Sequence, residues 1–244
     1  MLGLGHGIHK VDNIGLGEIF FNDYSIQFDG VNDYIDLDST LAPDIDPAVG
    51  TISAWVKLST TSVTGQILSC RRDANNLIQL FYHAGTNEIR AVHKGNGTTK
   101  TANVDAGETI ENSGNWHHVA MTWSTADGDL KVYQDGALKE TTAGIQNFSG
   151  DAPNKCDMGK SSGGDSGYFV GYVDEVSVFS SVVDIATLYN GGSPKDVEFS
   201  GIDSSKLKGY YRFTEGSGSD ATDESGNNNH GTLIHSPSWS TDTP

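Results

Sequence analysis

Basic residues are in short supply. The chain of 244 residues carries 15 lysines and arginines against 32 aspartates and glutamates, a formal charge of −17. Nucleic acid and anionic membranes both need clustered Lys and Arg to displace counterions, so neither is an expected partner. No apolar run approaches the roughly 18 residues of a membrane-spanning helix. The opening stretch, MLGLGHGIHKVDNIGLGEIF, lacks the basic and continuously apolar regions of a secretory signal, so export by that route is not expected. Cysteine is limited to Cys70 and Cys156. Without CxxC spacing or an export signal, two free thiols are the expectation and a pair is the alternative.

Glycine, by contrast, is abundant, with 30 residues. Five of these, Gly3, Gly5, Gly7, Gly15 and Gly17, are interspersed with Leu2, Leu4, Ile8, Ile14 and Leu16. Residues 1–24 therefore form a glycine-rich arm that cannot build a core of its own. It reads either as a tail or as an arm packed against its own domain or a neighbouring subunit.

From Ser25 onward the other glycines, with Asn, Asp and Ser, punctuate short runs with strand character. Strands are expected at Ser25–Phe28, Tyr34–Leu37, Thr51–Leu58, Gln66–Cys70, Leu77–His83, Glu88–Lys94 and Lys100–Val104. Further strands are expected at His117–Trp123, Leu130–Gln134, Ala137–Thr142, Cys156–Gly159, Tyr168–Phe179 and Lys208–Phe213. Asp135-Gly136 between two alternating runs predicts a tight type I′ hairpin. Leu77–Tyr82 is apolar at both parities apart from Gln79, which places it centrally with both faces covered. Only Val183–Asn190 reads as helix, closed by Gly191-Gly192. The sum is all-β: an antiparallel two-sheet jelly-roll sandwich with one short helix.

Four segments in order, SIQFDGVNDYIDL (25–37), TISAWVK (51–57), NWHHVAMTW (115–123) with its Asp-Gly hairpin, and GYVDEVSVF (171–179), resemble the laminin-G-like, concanavalin A-like jelly-roll family. The likeness covers about residues 25–180. The segment GYYRFTEGSGSDATDESGNNNHGTL (209–233) resembles one that precedes the FDG strand in many relatives but here follows the DEV strand. A circularly permuted roll is the expectation, with residues 25–244 a single domain that 207–244 completes. The layout, with its arm and without a signal peptide, looks like that of tailed-bacteriophage structural proteins. The resemblance implies a non-enzymatic virion protein in many copies, decorating the capsid or belonging to the tail or fibre, with the arm docked on another virion protein. The alternative is a carbohydrate-binding module for a host or environmental polysaccharide.

The resemblance also implies a structural calcium near the sheet rim, held by Asp29, Asp174, Asp223 and Asn227. Calcium takes hard oxygen ligands, which Asp- and Asn-rich loops supply, although the same residues make ordinary Asx turns. Zinc is not expected: His117 and His118 are adjacent on a strand and point to opposite faces. Gly159-Lys-Ser-Ser-Gly163 fits GxSxG, but no strand-to-helix elbow follows it. The laminarinase-like branch of this fold uses an ExDxxE run, which is absent, and the side chains of consecutive Asp174 and Glu175 are expected to diverge. No catalytic residue is therefore expected. A glycan could meet Tyr34, Tyr82, Tyr168, Tyr172, Trp239 and Asn75-Asn76, whereas Trp55, Trp116 and Trp123 read as core.

Overall fold

The computed structural model describes residues 21–104, 110, 114–197 and 200–244. Most of the arm, residues 1–20, thus lies outside the described residues. The described residues form sixteen strands in two antiparallel sheets, the longer ones built from alternating apolar and polar side chains.

The first sheet runs β10 (Ala137–Ala143), β9 (Asp129–Gln134), β8 (His117–Ser124), β3 (Val49–Leu58), β12 (Val170–Phe179), β1 (Ser25–Asp29) and β16 (Ser238–Ser240). β13 (Leu207–Tyr211) also pairs with β12, beyond the end of β1. The second sheet runs β14 (Asp220–Ala221), β15 (Gly231–Ile234), β2 (Tyr34–Asp36), β11 (Lys155–Met158), β4 (Gly65–Asp73), β5 (Asn76–His83), β6 (Glu88–Gly95) and β7 (Thr98–Asn103). The tail strands β13–β16 are thereby hydrogen-bonded into both sheets.

Every strand expected from the sequence forms, within a few residues. The Asp135-Gly136 turn has φ of 49° and 75°, the left-handed pair that a type I′ hairpin requires. The short helix α1 (Ile185–Tyr189) starts where the Asp184 side chain accepts the Ala186 N–H, and stops at Asn190, whose φ is 48°. No helix among the described residues is long and apolar enough to cross a membrane. β14, β15 and β16, two to four residues each, were not anticipated.

Inward-facing residues of both sheets, among them Ile26, Val56, Met121 and Val176 against Ile35, Leu80, Tyr82 and Met158, make one core. Cys70 and Cys156 lie within it, directly opposite each other on β4 and β11, and form a disulfide. This corrects the expectation of free thiols. The partners are 86 residues apart in sequence, and only strand register brings them together.

β12 carries a bulge: Asp174 faces Trp55 and Ser177 faces Ser53, so Glu175 and Val176 together oppose Ala54. Glu175 takes φ 48° to make it. Val173 and Val176 consequently both enter the core, and Glu175 turns outward beside Trp55 and Ser53. The expected divergence of Asp174 and Glu175 does not occur, because the bulge suspends strict alternation at that point.

The two outer faces differ. On the first sheet, Ile185, Leu188 and Val197 of the β12–β13 connection roof over Ala120, Phe179 and Tyr210. On the second sheet the loop 159–168 reaches over the outer face at Ser69 and Gln66. β5 is internal to that sheet as expected, yet among the described residues no second layer covers its outer face, and Leu77 and Gln79 remain half-buried there.

Candidate functional site

Strand register assembles a polar row across the open face. Asp36 of β2 lies opposite Asp157 of β11, Asp157 opposite Ser69 of β4, and Ser69 opposite Gln79 of β5. A second row places Lys155 beside Arg71 and Leu77. The inward partners Cys156 and Met158 force Asp157 outward, and Ile35 does the same for Asp36.

The loop between β11 and β12 folds back over this row. The Ser162 N–H donates to Ser69 Oγ at 3.1 Å, Gln79 Nε2 donates to the same oxygen at 3.1 Å, and the two serine hydroxyls lie 2.9 Å apart. The Gln66 N–H donates to the Gly167 carbonyl at 2.9 Å. Glycine is required where the loop departs: Gly159 has φ 92°, and a Cβ there would sit 2.6 Å from the Phe28 ring. Lys160 lies over the Tyr34 ring, 4.2 Å from its centroid, with Nζ 3.8 Å from Asp157 Oδ2 and 3.9 Å from Asp165 Oδ1.

Asp157 is 4% exposed. Burial pushes its carboxyl up to about 7; Lys160 opposes the shift and the charges of Asp38 and Asp36 add to it. Asp36 Oδ1 accepts the Asp38 N–H at 2.8 Å, and Asp38 Oδ1 accepts the Cys156 N–H at 2.8 Å. Asp38 Oδ2 accepts from Lys155 Nζ. Ligand oxygens of Asp36, Asp38 and Asp157 all lie within 4.8 Å of one another. Burial, and then the Asp157 charge, raise the Tyr34 hydroxyl.

The four residues expected to hold calcium occupy three places. Asp29 sits in an exposed Asx turn, its Oδ1 accepting the Val31 N–H at 2.8 Å. In the β1–β12 register Asp29 faces Val170, so Asp174 is four residues further along, about 13 Å away. Asp223 and Asn227 do meet, through Ser225 Oγ, in the turn before β15. Asp223 spends its oxygens on the N–H groups of Tyr210, Ser225 and Asn229 and on the Ser225 hydroxyl. The structure thus joins Asp223 with Asn227 and leaves Asp29 and Asp174 apart.

Of the residues considered for sugar contact, Tyr34 and Tyr168 flank the open face. Tyr82 is core, with its hydroxyl donating to the Thr61 carbonyl at 3.1 Å. Tyr172 lies elsewhere, near Trp116, and Trp239 packs against Phe213. Asn76 is buried, bonded to Asp73 and Ser149. Trp55 and Trp123 are buried as expected, whereas Trp116 is only half-buried and donates to Asp242. The row of Asp36, Asp157, Ser69 and Gln79 was not anticipated. Asp36-x-Asp38 on an alternating strand was a usable signal for two carboxylates on one face, but Asp157 joins them only through register.

The remaining polar cluster lies beneath the roof. Glu175 accepts from the Tyr210 hydroxyl and pairs with Arg212 Nε at 3.4 Å. Burial raises its carboxyl to about 8 against the pull of Arg212. Asp174 is driven well above the usual range by burial and then by the Glu175 charge. A cavity of about 10 Å³ beside Glu175 has room for roughly one water and none for a sugar. His117 and His118 take opposite faces as expected. His118 is buried with Nε2 2.7 Å from Ser53 Oγ, and His117 lies at the surface with Nδ1 2.9 Å from Asp135.

A family model described as the concanavalin A-like lectin/glucanases superfamily matches residues 29–186. No curated protein matches the sequence. Among solved structures, the fold is similar to that of a Bacteroides ovatus protein assigned a carbohydrate-binding role, with TM-score 0.64 and 16% identity over 89% of this chain and 59% of that one. It is also similar to the CBM40 module of a Ruminococcus gnavus IT-sialidase bound to α2,3-sialyllactose (TM-score 0.57, 16% identity, 69% of this chain and 96% of that one). A heptameric SAP-like pentraxin from Limulus polyphemus gives TM-score 0.55 and 20% identity over 73% and 88% of the respective chains. At these identities the likeness is one of fold.

Proposed function

The chain belongs to the concanavalin A-like lectin/glucanase superfamily, and from that premise we propose that it is a non-catalytic carbohydrate-binding module whose ligand lies on the open face of the second sheet. One observation carries the choice of face: the first sheet is roofed by the β12–β13 connection, while the second leaves Tyr34, Asp36 and Gln79 half-exposed around the buried Asp157 and Ser69, with Tyr168 beside them. Carboxylates, a side-chain amide and hydroxyls are the groups that orient sugar hydroxyls, and the Tyr34 ring offers an apolar surface beside them. The sialyllactose-bound relative supports a glycan as the partner class.

The absence of turnover in this reading follows from the placement of Asp174 and Glu175. The glycosidase pair requires two carboxyls flanking a bound sugar ring, and these two are buried, Asp174 at 0% and Glu175 at 6% exposure. Display on a phage particle through residues 1–24 is compatible with the same module, which would then present its open face from the virion.

A glycan array probed with the full chain tests the reading. We expect binding that Tyr34→Ala and Gln79→Ala each weaken about tenfold, with no release of reducing ends from β-glucans. Silence across neutral and acidic glycans, or binding indifferent to both substitutions, overturns it.

A further inference from the structure

The chain has four arginines, and three of them face carboxylates. Arg72 pairs with Asp73 and Asp151, Arg90 with Glu88, and Arg212 with Glu175, Asp196 and Glu224. Arg71 differs: among the described residues no carboxylate comes within 4.0 Å of its guanidinium, which donates no hydrogen bond. In a chain with 32 acidic residues against 15 basic ones, a guanidinium without a counter-charge is an exception. Register fixes its place. Arg71 alternates with Ser69 on β4 and so projects onto the open face, with Lys155 of β11 on one side and Leu77 of β5 on the other. Leu77 in turn stands opposite Lys94 of β6. Lys94 Nζ donates to the Ala74 carbonyl at 2.7 Å and likewise has no carboxylate within 4.0 Å among the described residues. Two cations without counter-charge therefore rise from backbones about 10 Å apart, two strand spacings, on either side of a half-buried leucine. The Arg71 guanidinium lies close against the loop 159–168, where a Cβ at Gly163 would come within 2.3 Å of Nη1. That contact restricts the side chain, so less rotamer freedom is lost when an anion arrives. The acidic row beside it is already matched, Asp38 by Lys155 and Asp157 by Lys160.

Resting on the reading of this face as a glycan site, we propose that Arg71, with Leu77 and Lys94, forms an anion subsite, so that the glycan is an acidic one. The planar fork of a guanidinium meets two oxygens of a carboxylate or a sulfate through parallel hydrogen bonds. The ring that carries the acid group lays its C–H face on Leu77, and Lys94 adds a second positive charge at its far side. Hydroxyls of the neighbouring sugars find acceptors in Gln79 and, further along the row, in Asp36. Donors at one edge and acceptors at the other fix the direction in which the glycan lies.

The test is an array that sets uronate oligosaccharides beside their methyl esters, and sulfated galactans beside their desulfated forms, probed with the full chain. The charged member of a pair should bind about tenfold more tightly than its uncharged partner. Arg71→Gln should erase that preference and leave binding of the uncharged member as it was. Arg71→Lys, which keeps the charge and loses the fork, should cut the preference severalfold. Near-UV circular dichroism checks that both variants fold. Lys131→Gln removes one positive charge from β9 of the first sheet and should bind as the parent does. A preference in the uronate pairs identifies the anion as carboxylate and one in the sulfated pairs as sulfate; either, if lost in Arg71→Gln, supports the subsite. Equal binding of charged and uncharged members, or an undiminished preference in a folded Arg71→Gln or Arg71→Lys protein, overturns the subsite and leaves the carbohydrate-binding module standing. Silence on every glycan overturns both.

Discussion

At the scale of residues, His118 shows how packing sets chemistry. Its ring packs beside the stacked Trp55 and Tyr189 rings, with centroids at 5.5 and 5.9 Å. Burial lowers its pKa from 6.5 to about 4, with the Asp135 charge opposing weakly. The folded-state pKa is therefore the lower one. Above pH 6.5 neither state holds the proton and the packing contribution is complete. As pH falls toward 4 the unfolded chain takes up a proton that the folded chain refuses, and stability declines by about 3 kcal/mol. Urea unfolding between pH 4 and 7 should record that decline, and His118→Gln should flatten it; an equal pH slope in the variant would sink the assignment. That one of two adjacent histidines is interior was legible, because strand alternation alone separates them. Which tyrosines are interior was not: Tyr34 and Tyr82 look equivalent in sequence, and only the register of β2 and β5 assigns one to the face and the other to the core.

At the scale of elements, most strands could be read from their apolar–polar runs, and the Asp135-Gly136 turn from its chemistry. The bulge in β12 could not, because Glu175 occupies a left-handed position where glycine would have signalled it. Misreading that single residue misplaces the Asp174 and Glu175 carboxyls together. The open face was equally hidden, since its composition is a property of β2, β11, β4 and β5 side by side rather than of any one of them. The disulfide between β4 and β11 lies directly under the Asp157–Ser69 pair. Denatured but unreduced protein should expose no thiol to a colorimetric reagent, and reduction should cost about 2–4 kcal/mol in unfolding free energy. Two reactive thiols per unreduced chain would contradict the bond.

At the scale of the whole molecule, the tail is integral to both layers. Tyr211, Phe213, Ala221 and Leu233 belong to the main core, and Tyr210 to the cluster beneath the roof. Lys57 reaches Asp242 at 2.6 Å, and Ser25 Oγ donates to the Asp242 carbonyl at 2.7 Å. Removal of residues 207–244 should therefore abolish cooperative unfolding and drive the remainder into aggregates, as sedimentation would report; a monomeric truncation with an intact thermal transition would make the tail dispensable. The pairing of β1 with β12 and β16 has a further consequence for biosynthesis. The ribosome delivers β1 well before its neighbours: the first follows some 140 residues later and the second some 60 residues after that. At about 5–20 residues per second that strand waits for many seconds with its N–H and C=O groups unclaimed. Nascent chains are thus exposed at Ser25–Asp29, and a holding chaperone would act on yield there, before β12 and β16 reach β1.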